Sequence, residues 1–192
     1  MKNILLAIFI GLFSLSSAQT MDKNTALLII DIQDFYFQGG DSELVNPDKA
    51  SLNAKKILEY FRLNNLPVIH IRHNYEPGGN IHKNVIPIKS EKVISKNEVN
   101  CFKDTDLLEY LKTNSIETII ICGMQTHMCV EAATRASYDY NFKTVLIHDA
   151  CATRDLKFLD YSIKAVDVHN STLSTLKSYA KIIDAKSFIG GK

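Results

Sequence analysis

The stretch ETIIICGMQTHMCVEAATRA, residues 117–136, decides how this chain is expected to fold. Five residues typical of a buried strand, Thr118–Cys122, end at Gly123, and a polar turn then leads into Val130–Ala136, whose composition favours a helix. The pattern therefore predicts a strand, a sharp turn and a helix, with Cys129 in the first helical turn. Backbone N–H groups at a helix N-terminus are unpaired and carry partial positive charge. A thiolate there is stabilised, so we expect the pKa of Cys129 to lie below the free value of ~8.5.

The same N–H groups can stabilise a developing oxyanion, which makes Cys129 a candidate nucleophile. The alternative is structural, because a lone cysteine near a strand end usually packs in the core. A nucleophile needs a base, and Asp31 is placed to act as one at the end of the predicted strand Thr25–Asp31. Burial would raise the pKa of the Asp31 carboxyl towards that of the thiol, and Lys96 could supply a cation. Asp31 could instead cap a turn, and Lys96 could be a solvated surface charge.

Short apolar runs alternate with helical patterns along the whole chain. This alternation predicts a single-domain α/β fold, in which a doubly wound, mostly parallel sheet carries helices on both faces in three layers. The predicted strands are Thr25–Asp31, Pro67–Arg72, Lys92–Ser95, Thr118–Cys122, Phe142–His148 and Ala180–Asp184, and the predicted helices are 46–63, 104–111, 130–136 and 162–178. Ligands bind beyond the carboxyl ends of the strands in such a sheet, so Asp31 and Cys129 are expected to meet at one rim.

Length and composition limit the classes of protein to consider. A chain of 192 residues with 46% hydrophobic and 22% charged residues suits one well-packed domain. The net charge of +1 gives no reason to expect binding to nucleic acid or to an anionic membrane surface. The spacing of the four cysteines is not that of a disulfide-dense small domain, and no CxxC or HxxxH pair indicates a structural zinc site.

Residues 1–18 have the pattern of a secretory signal peptide. A basic residue precedes the apolar run Ile4–Phe13, and small residues up to Ala18 suit cleavage before Gln19. The alternative, a membrane anchor, needs ~20 apolar residues, and this run is shorter. We therefore expect an exported protein, periplasmic or extracellular, with no membrane segment after signal removal and with its functional domain in residues 19–192.

Four segments taken together resemble the isochorismatase-like cysteine hydrolases. They are LIIDIQDF at 28–35, Lys96, GMQTHMCV at 123–130 and DACATR at 149–154. The resemblance extends from about residue 24 to about residue 188. The last segment is most similar to bacterial general cysteine hydrolases, a subgroup related to nicotinamidases and N-carbamoylsarcosine amidases. The resemblance implies the isochorismatase-like, Rossmann-like form of the predicted fold.

The resemblance implies a catalytic triad of Asp31, Lys96 and Cys129. It also implies a non-proline cis peptide between Met124 and Gln125, with the N–H groups of Gln125 and Cys129 forming an oxyanion hole. In the implied reaction Asp31 takes the thiol proton, Cys129 attacks a carbonyl carbon, ammonia or an amine leaves, and water hydrolyses the thioester. Isochorismatases lack the cysteine and cleave a vinyl ether, so its presence here favours hydrolysis of a C–N bond.

Departures from the family pattern bear on metal and substrate. Nicotinamidases hold a metal with an Asp-x-His pair, whereas the second strand here reads HIRH at 70–73, so no metal or other cofactor is expected. His70, inside an apolar strand, is interpreted as a core histidine. The loop Asn74–Lys83 is shorter than the loop that usually borders the pocket, so the pocket is expected to be more open or completed by a neighbouring subunit.

Position in the chain suggests four pocket residues, Phe35, His73, Phe102 and His127. The two phenylalanines are candidate apolar walls, although each could be plain core, and the two histidines are candidate polar contacts. The expected partner is a small amide-type substrate, and the resemblance implies a homo-oligomer.

Two other classes of function remain open. A thiol redox protein could use Cys129 and Cys151, which follow adjacent predicted strands, and a binding protein could keep the fold without catalysis.

Overall fold

The computed structural model describes residues 22–190, so the predicted signal peptide lies outside the described part of the chain. The strands are β1 (Thr25–Ile30), β2 (Val68–His73), β3 (Lys92–Lys96), β4 (Thr118–Met124), β5 (Lys143–Ala152), β6 (Leu156–Phe158), β7 (Tyr161–Ile163) and β8 (Lys181–Ile183). The α-helices are α1 (Pro47–Leu63), α2 (Leu107–Thr113), α3 (Glu131–Asp139), α4 (Ala165–Leu176) and α5 (Ala185–Ile189). Within residues 22–190, no helix has the length and apolar character needed to cross a membrane.

Six strands form one sheet in the order β3-β2-β1-β4-β5-β8, and all neighbouring pairs are parallel. Helices α1 and α5 pack on one face, and α2, α3 and α4 pack on the other, each layer over its own hydrophobic cluster. All six residues of β1 are buried, because the run TALLII supplies apolar side chains to both faces. The predicted parallel sheet between two helical layers is confirmed.

One glycine brings the ends of the two central strands together. Gly123 pairs with Ile30 where β4 runs beside β1. Its φ is +132°, and a Cβ built there would lie 2.0 Å from the Ile30 carbonyl oxygen, so only glycine fits. The residues that follow each strand, Asp31 and Gln125, are therefore placed at the same point of the rim.

The turn after β4 differs from the prediction. Cys129 does not lie in the first turn of an α-helix but in a five-residue π-helical turn, Thr126–Val130, and α3 begins only after it. The Val130 N–H donates to the Gln125 carbonyl oxygen at 3.2 Å, a bond that spans five residues instead of four. The extra residue in the turn changes which way the side chain of Cys129 points relative to an ordinary helix start.

The predicted helix 162–178 begins later than expected. Asp155 accepts a hydrogen bond from the Ala165 N–H at 2.8 Å, which fixes the first residue of α4. The residues before it form an antiparallel hairpin of β6 and β7, which the sequence analysis did not predict. Its aromatic and β-branched residues favour strands, so local composition could have indicated it. The short helix α5 was also not predicted.

Candidate active site

Three side chains from different parts of the sheet meet at its carboxyl end. Asp31 directly follows β1, Lys96 is the last residue of β3, and Cys129 lies in the turn after β4. Lys96 Nζ lies 2.8 Å from Asp31 Oδ2 and donates a hydrogen bond to Cys129 Sγ at 3.3 Å. All three residues are buried. The structure therefore places the residues that the resemblance implies as a triad in one contiguous group.

The backbone of Asp31 departs from the extended path of β1. Its φ is +46°, a left-handed conformation that aspartate tolerates better than bulky residues do. Its N–H still donates to the Ile71 carbonyl oxygen of β2 at 3.0 Å, so the residue is anchored to the sheet. The carboxylate is thus held by the end of a buried strand and not by a loose loop.

Lys96 contacts four polar atoms. Besides Asp31 and Cys129, its Nζ lies 3.3 Å from His73 Nδ1 and donates to the Glu98 carbonyl oxygen at 3.1 Å. Burial by itself would lower the pKa of Lys96, but the negative charge of Asp31 and the Cys129 sulfur outweigh it, and the pKa is raised. Lys96 is therefore a fixed positive charge between the carboxylate and the thiol.

The pKa of Asp31 is shifted in the predicted direction, whereas the pKa of Cys129 is shifted in the opposite direction to the prediction. Burial raises the pKa of the Asp31 carboxyl, and Lys96 offsets this only in part. Burial and then the neighbouring Asp31 carboxylate raise the pKa of Cys129 to about 12, although Lys96 acts in the opposite direction. The expected thiol pKa below the free value was wrong, because loss of water and an adjacent carboxylate outweigh the positive charge. Burial and the carboxylate therefore favour the protonated thiol, and Lys96 favours the charged form of Asp31.

Gln33 holds the neighbouring strand end in place. Its buried carboxamide accepts from the His73 N–H at 2.7 Å and donates to the carbonyl oxygens of His73 at 2.9 Å and Gly79 at 2.7 Å. His73, predicted to contact substrate, therefore has its backbone fixed by Gln33 and its ring against Lys96. Burial and the charge of Lys96 lower the pKa of His73, so its ring is neutral at pH 7 and can accept from the ammonium.

A second group of polar side chains lies beside the turn. The peptide between Met124 and Gln125 is cis. The Gln125 Nε2 donates to the Tyr36 hydroxyl at 3.4 Å, and its Oε1 is buried without a partner among the described residues. Burial raises the pKa of Tyr36, and the charges of Asp31 and Cys129 raise it further. Tyr36 therefore lies within electrostatic reach of the triad, although the sequence analysis had not singled it out.

The start of the π-helical turn is joined to the end of β5 by hydrogen bonds. His127 Nδ1 lies 2.6 Å from Thr153 Oγ1, so this predicted pocket residue is tied to the segment after β5. Thr126 Oγ1 donates to the Ala152 carbonyl oxygen at 3.2 Å and lies 2.9 Å from His169 Nδ1 of α4. These contacts fix the turn that carries Cys129, and neither Thr126 nor His169 had a sequence signal beyond being polar.

The two predicted aromatic walls have different surroundings. Phe35 packs on Tyr36 and Tyr75, with ring centroids 4.2 and 4.5 Å away, and it also lines a cavity of about 270 Å³. Phe102 is buried in the same hydrophobic cluster as Cys129 and packs against Tyr140, with their ring centroids 5.3 Å apart. Phe35 thus lies at a cavity, whereas Phe102 lies in the core.

Histidine and cysteine side chains outside this group are the other candidates for metal or redox chemistry. Within residues 22–190, no group of three or more histidine, cysteine or acidic side chains is arranged to hold a metal ion. His70 is buried and its Nε2 lies 2.9 Å from Glu91 Oε2, as suits a core histidine. All four cysteines are free thiols, and Cys151 Sγ donates to the Ile147 carbonyl oxygen at 3.4 Å, whereas Cys129 Sγ accepts from Lys96.

The chain is similar to known proteins of one family. Residues 25–178 match the isochorismatase domain. The isochorismatase family protein YddQ of Bacillus subtilis (strain 168) is 36% identical over 177 residues, covering 86% of this chain and 98% of the relative. The crystal structure of a protein from Oleispira antarctica, described as an isochorismatase hydrolase, superposes with a TM-score of 0.85 at 38% identity and covers 90% of this chain and 99% of that chain.

A more distant relative has a named reaction. The ureidoacrylate amidohydrolase RutB of Acinetobacter baylyi is 22% identical over 216 residues, covering 89% of this chain and 84% of the relative. From the domain match and the close relatives together, this chain belongs to the isochorismatase family of hydrolases.

Proposed function

We propose that this chain is an exported cysteine hydrolase that cleaves an amide-type C–N bond of a small molecule through a thioester on Cys129. The observation that carries the proposal is the buried Lys96, whose Nζ lies 2.8 Å from Asp31 Oδ2 and 3.3 Å from Cys129 Sγ. Burying ions costs several kcal/mol each and is poorly explained by stability alone. A buried cation between a carboxylate and a thiol is well suited to proton transfer followed by nucleophilic attack.

The reaction begins with Asp31 charged and Cys129 protonated. Asp31 takes the thiol proton as the sulfur attacks the carbonyl carbon, and the negative charge moves from the carboxylate through sulfur to the carbonyl oxygen. Lys96 contacts both the donor and the acceptor of this proton, and the net charge of the three groups together with the substrate stays the same. No new charge has to be created in the buried site, which keeps the cost of the step low.

The intermediate then collapses by expelling the nitrogen. Asp31 returns its proton to the departing ammonia or amine, which leaves an acyl group on Cys129. Asp31, again a carboxylate, takes a proton from a water molecule that attacks the thioester, and the acid product is released as sulfur regains its proton. One group serves as acid and base in turn, which suits the raised pKa of its carboxyl.

The oxyanion of the intermediate is assigned to the backbone N–H groups of Gln125 and Cys129. Gln125 immediately precedes the π-helical turn and Cys129 lies within it. The turn directly follows β4, whose end lies beside Asp31, and this position supports the assignment. Loss of one such donor typically costs ~10²–10³ in rate. Phe35, His73 and His127 are proposed to contact the substrate, and Phe102 is proposed to support the pocket from behind.

Support for a C–N bond as the target comes from two directions. The nucleophile is a cysteine, which forms thioesters, and a relative of this chain is named an amidohydrolase. Export is proposed from the signal-like pattern of residues 1–18. The proposed substrate is therefore a small amide met outside the cytoplasm.

The test is a panel of small amides and ureido compounds, with released ammonia or amine as the readout and intact mass to detect the acyl-enzyme. We expect turnover by the wild type, none by Cys129→Ala, and nearly normal turnover by Cys151→Ser, which removes a buried thiol away from Lys96. Turnover that survives in Cys129→Ala contradicts the proposal. Loss of activity in Cys151→Ser, together with thiol–disulfide cycling in the wild type, would support the redox alternative instead.

The role of Asp31 is tested separately with Asp31→Asn on the same substrate. The variant should lower kcat by at least ~10², because the general base and acid is lost, and should change KM little. A change confined to KM would place the base elsewhere.

A further inference from the structure

The ring of His73 is held against Lys96 by the structure around it. His73 is the last residue of β2 and pairs in register with Lys96, the last residue of β3. Gln33 Oε1 accepts from the His73 N–H at 2.7 Å, and Gln33 Nε2 donates to the His73 carbonyl oxygen at 2.9 Å. The ring is half-buried, and its Nδ1 lies 3.3 Å from Lys96 Nζ. Strand register and a buried carboxamide therefore fix where this ring meets the ammonium.

The Lys96 ammonium has three N–H groups for four neighbouring acceptors. Its Nζ is nearest to Asp31 Oδ2, at 2.8 Å, and to the Glu98 carbonyl oxygen, at 3.1 Å. His73 Nδ1 and Cys129 Sγ are both 3.3 Å away, so they compete for the remaining N–H. A protonated thiol is a weak acceptor, whereas a thiolate is a strong one. The third N–H can therefore rest on His73 and turn to the sulfur as negative charge develops there.

The contact requires one particular tautomer of the ring. An ammonium group only donates hydrogen bonds, so His73 Nδ1 must carry the lone pair, and the ring proton must lie on Nε2. Protonation of Nδ1 would remove the acceptor and place two cations with their nitrogen atoms 3.3 Å apart. His73 can therefore hold Lys96 only while the ring is neutral.

The charges around the ring oppose its protonation. Lys96 faces it from β3, Asp31 from the residue after β1, and Glu98 from the segment after β3. Burial and then Lys96 lower the pKa of His73, and the two carboxylates raise it by less. The ring consequently stays neutral until the pH falls below the ordinary histidine value of ~6.5.

Other histidines of the domain have different partners. His127 Nδ1 lies 2.6 Å from Thr153 Oγ1, and His70 Nε2 lies 2.9 Å from Glu91 Oε2. The link between histidine titration and Lys96 therefore depends on the position of His73 at the end of β2.

We propose that His73 is a positioning residue for Lys96: its neutral Nδ1 accepts one ammonium N–H in the resting site and releases it to the Cys129 thiolate, and protonation of the ring stops the reaction in acid. The kinetic consequence rests on the proposed function, whereas the contact between His73 and Lys96 does not. No proton moves to or from His73 during turnover, so Asp31 remains the base and acid of the reaction.

The kinetic test compares two variants of the full chain on one amide substrate. His73→Asn offers an acceptor oxygen in place of Nδ1 but does not titrate, whereas His73→Phe offers none. Both variants lack Nε2, so the difference between them isolates the contact with Lys96. At pH 8 we expect kcat of His73→Phe to be at least ~tenfold below that of His73→Asn, because a hydrogen bond to a charged group is lost. Equal kcat values in the two variants overturn the proposal.

The pH profile separates this role from simple packing. In the wild type, kcat/KM should fall about tenfold per pH unit in acid, with an apparent pKa below ~6.5. This limb should move to lower pH in His73→Asn and stay in place in His148→Asn, which removes a half-buried histidine of β5. A limb that does not move in His73→Asn overturns the proposal, because another group would then set it.

A second readout needs no substrate. Two-bond nitrogen–proton correlation NMR of the histidine-labelled protein reports the tautomer and the pKa of each ring, with His73→Asn to assign the signal. We expect the Nε2–H tautomer at pH 8 and a pKa that rises in Asp31→Asn/Lys96→Met, because Lys96 lowers it more than Asp31 raises it. The two proposals fail separately: an absence of turnover with every amide overturns the proposed function, and an Nδ1–H tautomer of His73 overturns this one.

Discussion

The rim that holds Asp31, Lys96 and Cys129 and the β6–β7 hairpin depart from the usual pattern of burial in opposite directions. At the rim the ionic side chains of Asp31 and Lys96 are buried, whereas on the hairpin the aromatic side chains of Phe158 and Tyr161 are exposed. Folded proteins ordinarily bury aromatic side chains and expose ionic ones. Neither region is explained by the stability of the fold alone: the buried ions are best understood through chemistry, and the exposed aromatic side chains mark a surface that is open to contact.

The largest expected effect tests the cost of the buried charges. Lys96→Met leaves the Asp31 carboxylate buried without its cation, so we expect a loss of ~3–5 kcal/mol in the free energy of unfolding at pH 8. Urea denaturation followed by circular dichroism measures it. The double variant Asp31→Asn/Lys96→Met removes both charges and should recover much of the stability while remaining inactive. A Lys96→Met protein as stable as the wild type would show that the ion pair is not buried as described.

A second buried ionic cluster separates burial from catalysis. Glu91 accepts from Arg62 at 2.7 and 2.8 Å and from the Ile88 N–H at 2.9 Å, and it contacts His70. Burial would raise the pKa of Glu91, but these partners outweigh it and lower the pKa to about 2. Glu91→Gln should therefore cost ~1.5–3 kcal/mol of stability at pH 7 and leave kcat unchanged.

The pH dependence of this cluster has a definite sign. A carboxyl with a folded-state pKa below its unfolded value stabilises the fold above the unfolded value, here 4.5, and the contribution is lost as pH falls towards about 2. The stability difference between wild type and Glu91→Gln should shrink over that interval. Glu109→Gln, on the exposed side of α2, is the control and should show no such difference. A difference that stays constant with pH would mean that Glu91 is not ion-paired.

The next prediction concerns the close contact between the backbones of β4 and β1 at Gly123. Gly123→Ala would set a Cβ 2.0 Å from the Ile30 carbonyl oxygen, so we expect a loss of ~1–3 kcal/mol and a fall in kcat as β1 and β4 separate. Gly39→Ala is the control, because Gly39 also has a positive φ, +82°, but a Cβ there meets nothing within 4 Å. Thermal unfolding of both variants separates the clash from the conformational cost, and equal losses would rule out the clash as the cause.

The smallest expected effect is on the hairpin. Phe158→Ser should change the free energy of unfolding by less than ~0.5 kcal/mol. The fully buried Phe61→Ala should cost ~3–5 kcal/mol by the same measurement. A large loss for Phe158→Ser would mean that the aromatic ring packs on its own copy and would weaken the contrast between the two regions.

The order of strands and helices could be predicted because each buried parallel strand is a short apolar run with a helical pattern after it. The ends of elements were less predictable, because they depend on single hydrogen bonds such as the one from the Ala165 N–H to Asp155. The hairpin was missed because its strands are three residues long, and the surrounding residues also fit a helix.

Positions at or just after strand ends predicted that Asp31 and Cys129 would meet at one rim, whereas Lys96 was joined to them as a set through the family resemblance. The raised pKa of Asp31 was predicted, but that of Cys129 was not, because it depends on burial and on a carboxylate that is 98 residues away in sequence. Gln33 and Tyr36 were missed as supports because their partners, His73 and Gln125, come from other strands. Such contacts are visible only in three dimensions.

The most direct test concerns the central claim that the resting proton lies on Cys129 and the negative charge on Asp31. The alkylation rate of Cys129 by iodoacetamide is measured against pH by peptide mass spectrometry in the wild type and in Asp31→Asn. The account predicts an apparent thiol pKa above the free value of ~8.5 in the wild type, and a lower one in the variant, where Lys96 remains without the carboxylate. A wild-type value below ~8.5 that does not fall in Asp31→Asn would contradict the account, because Cys129 would then rest as a thiolate paired with Lys96.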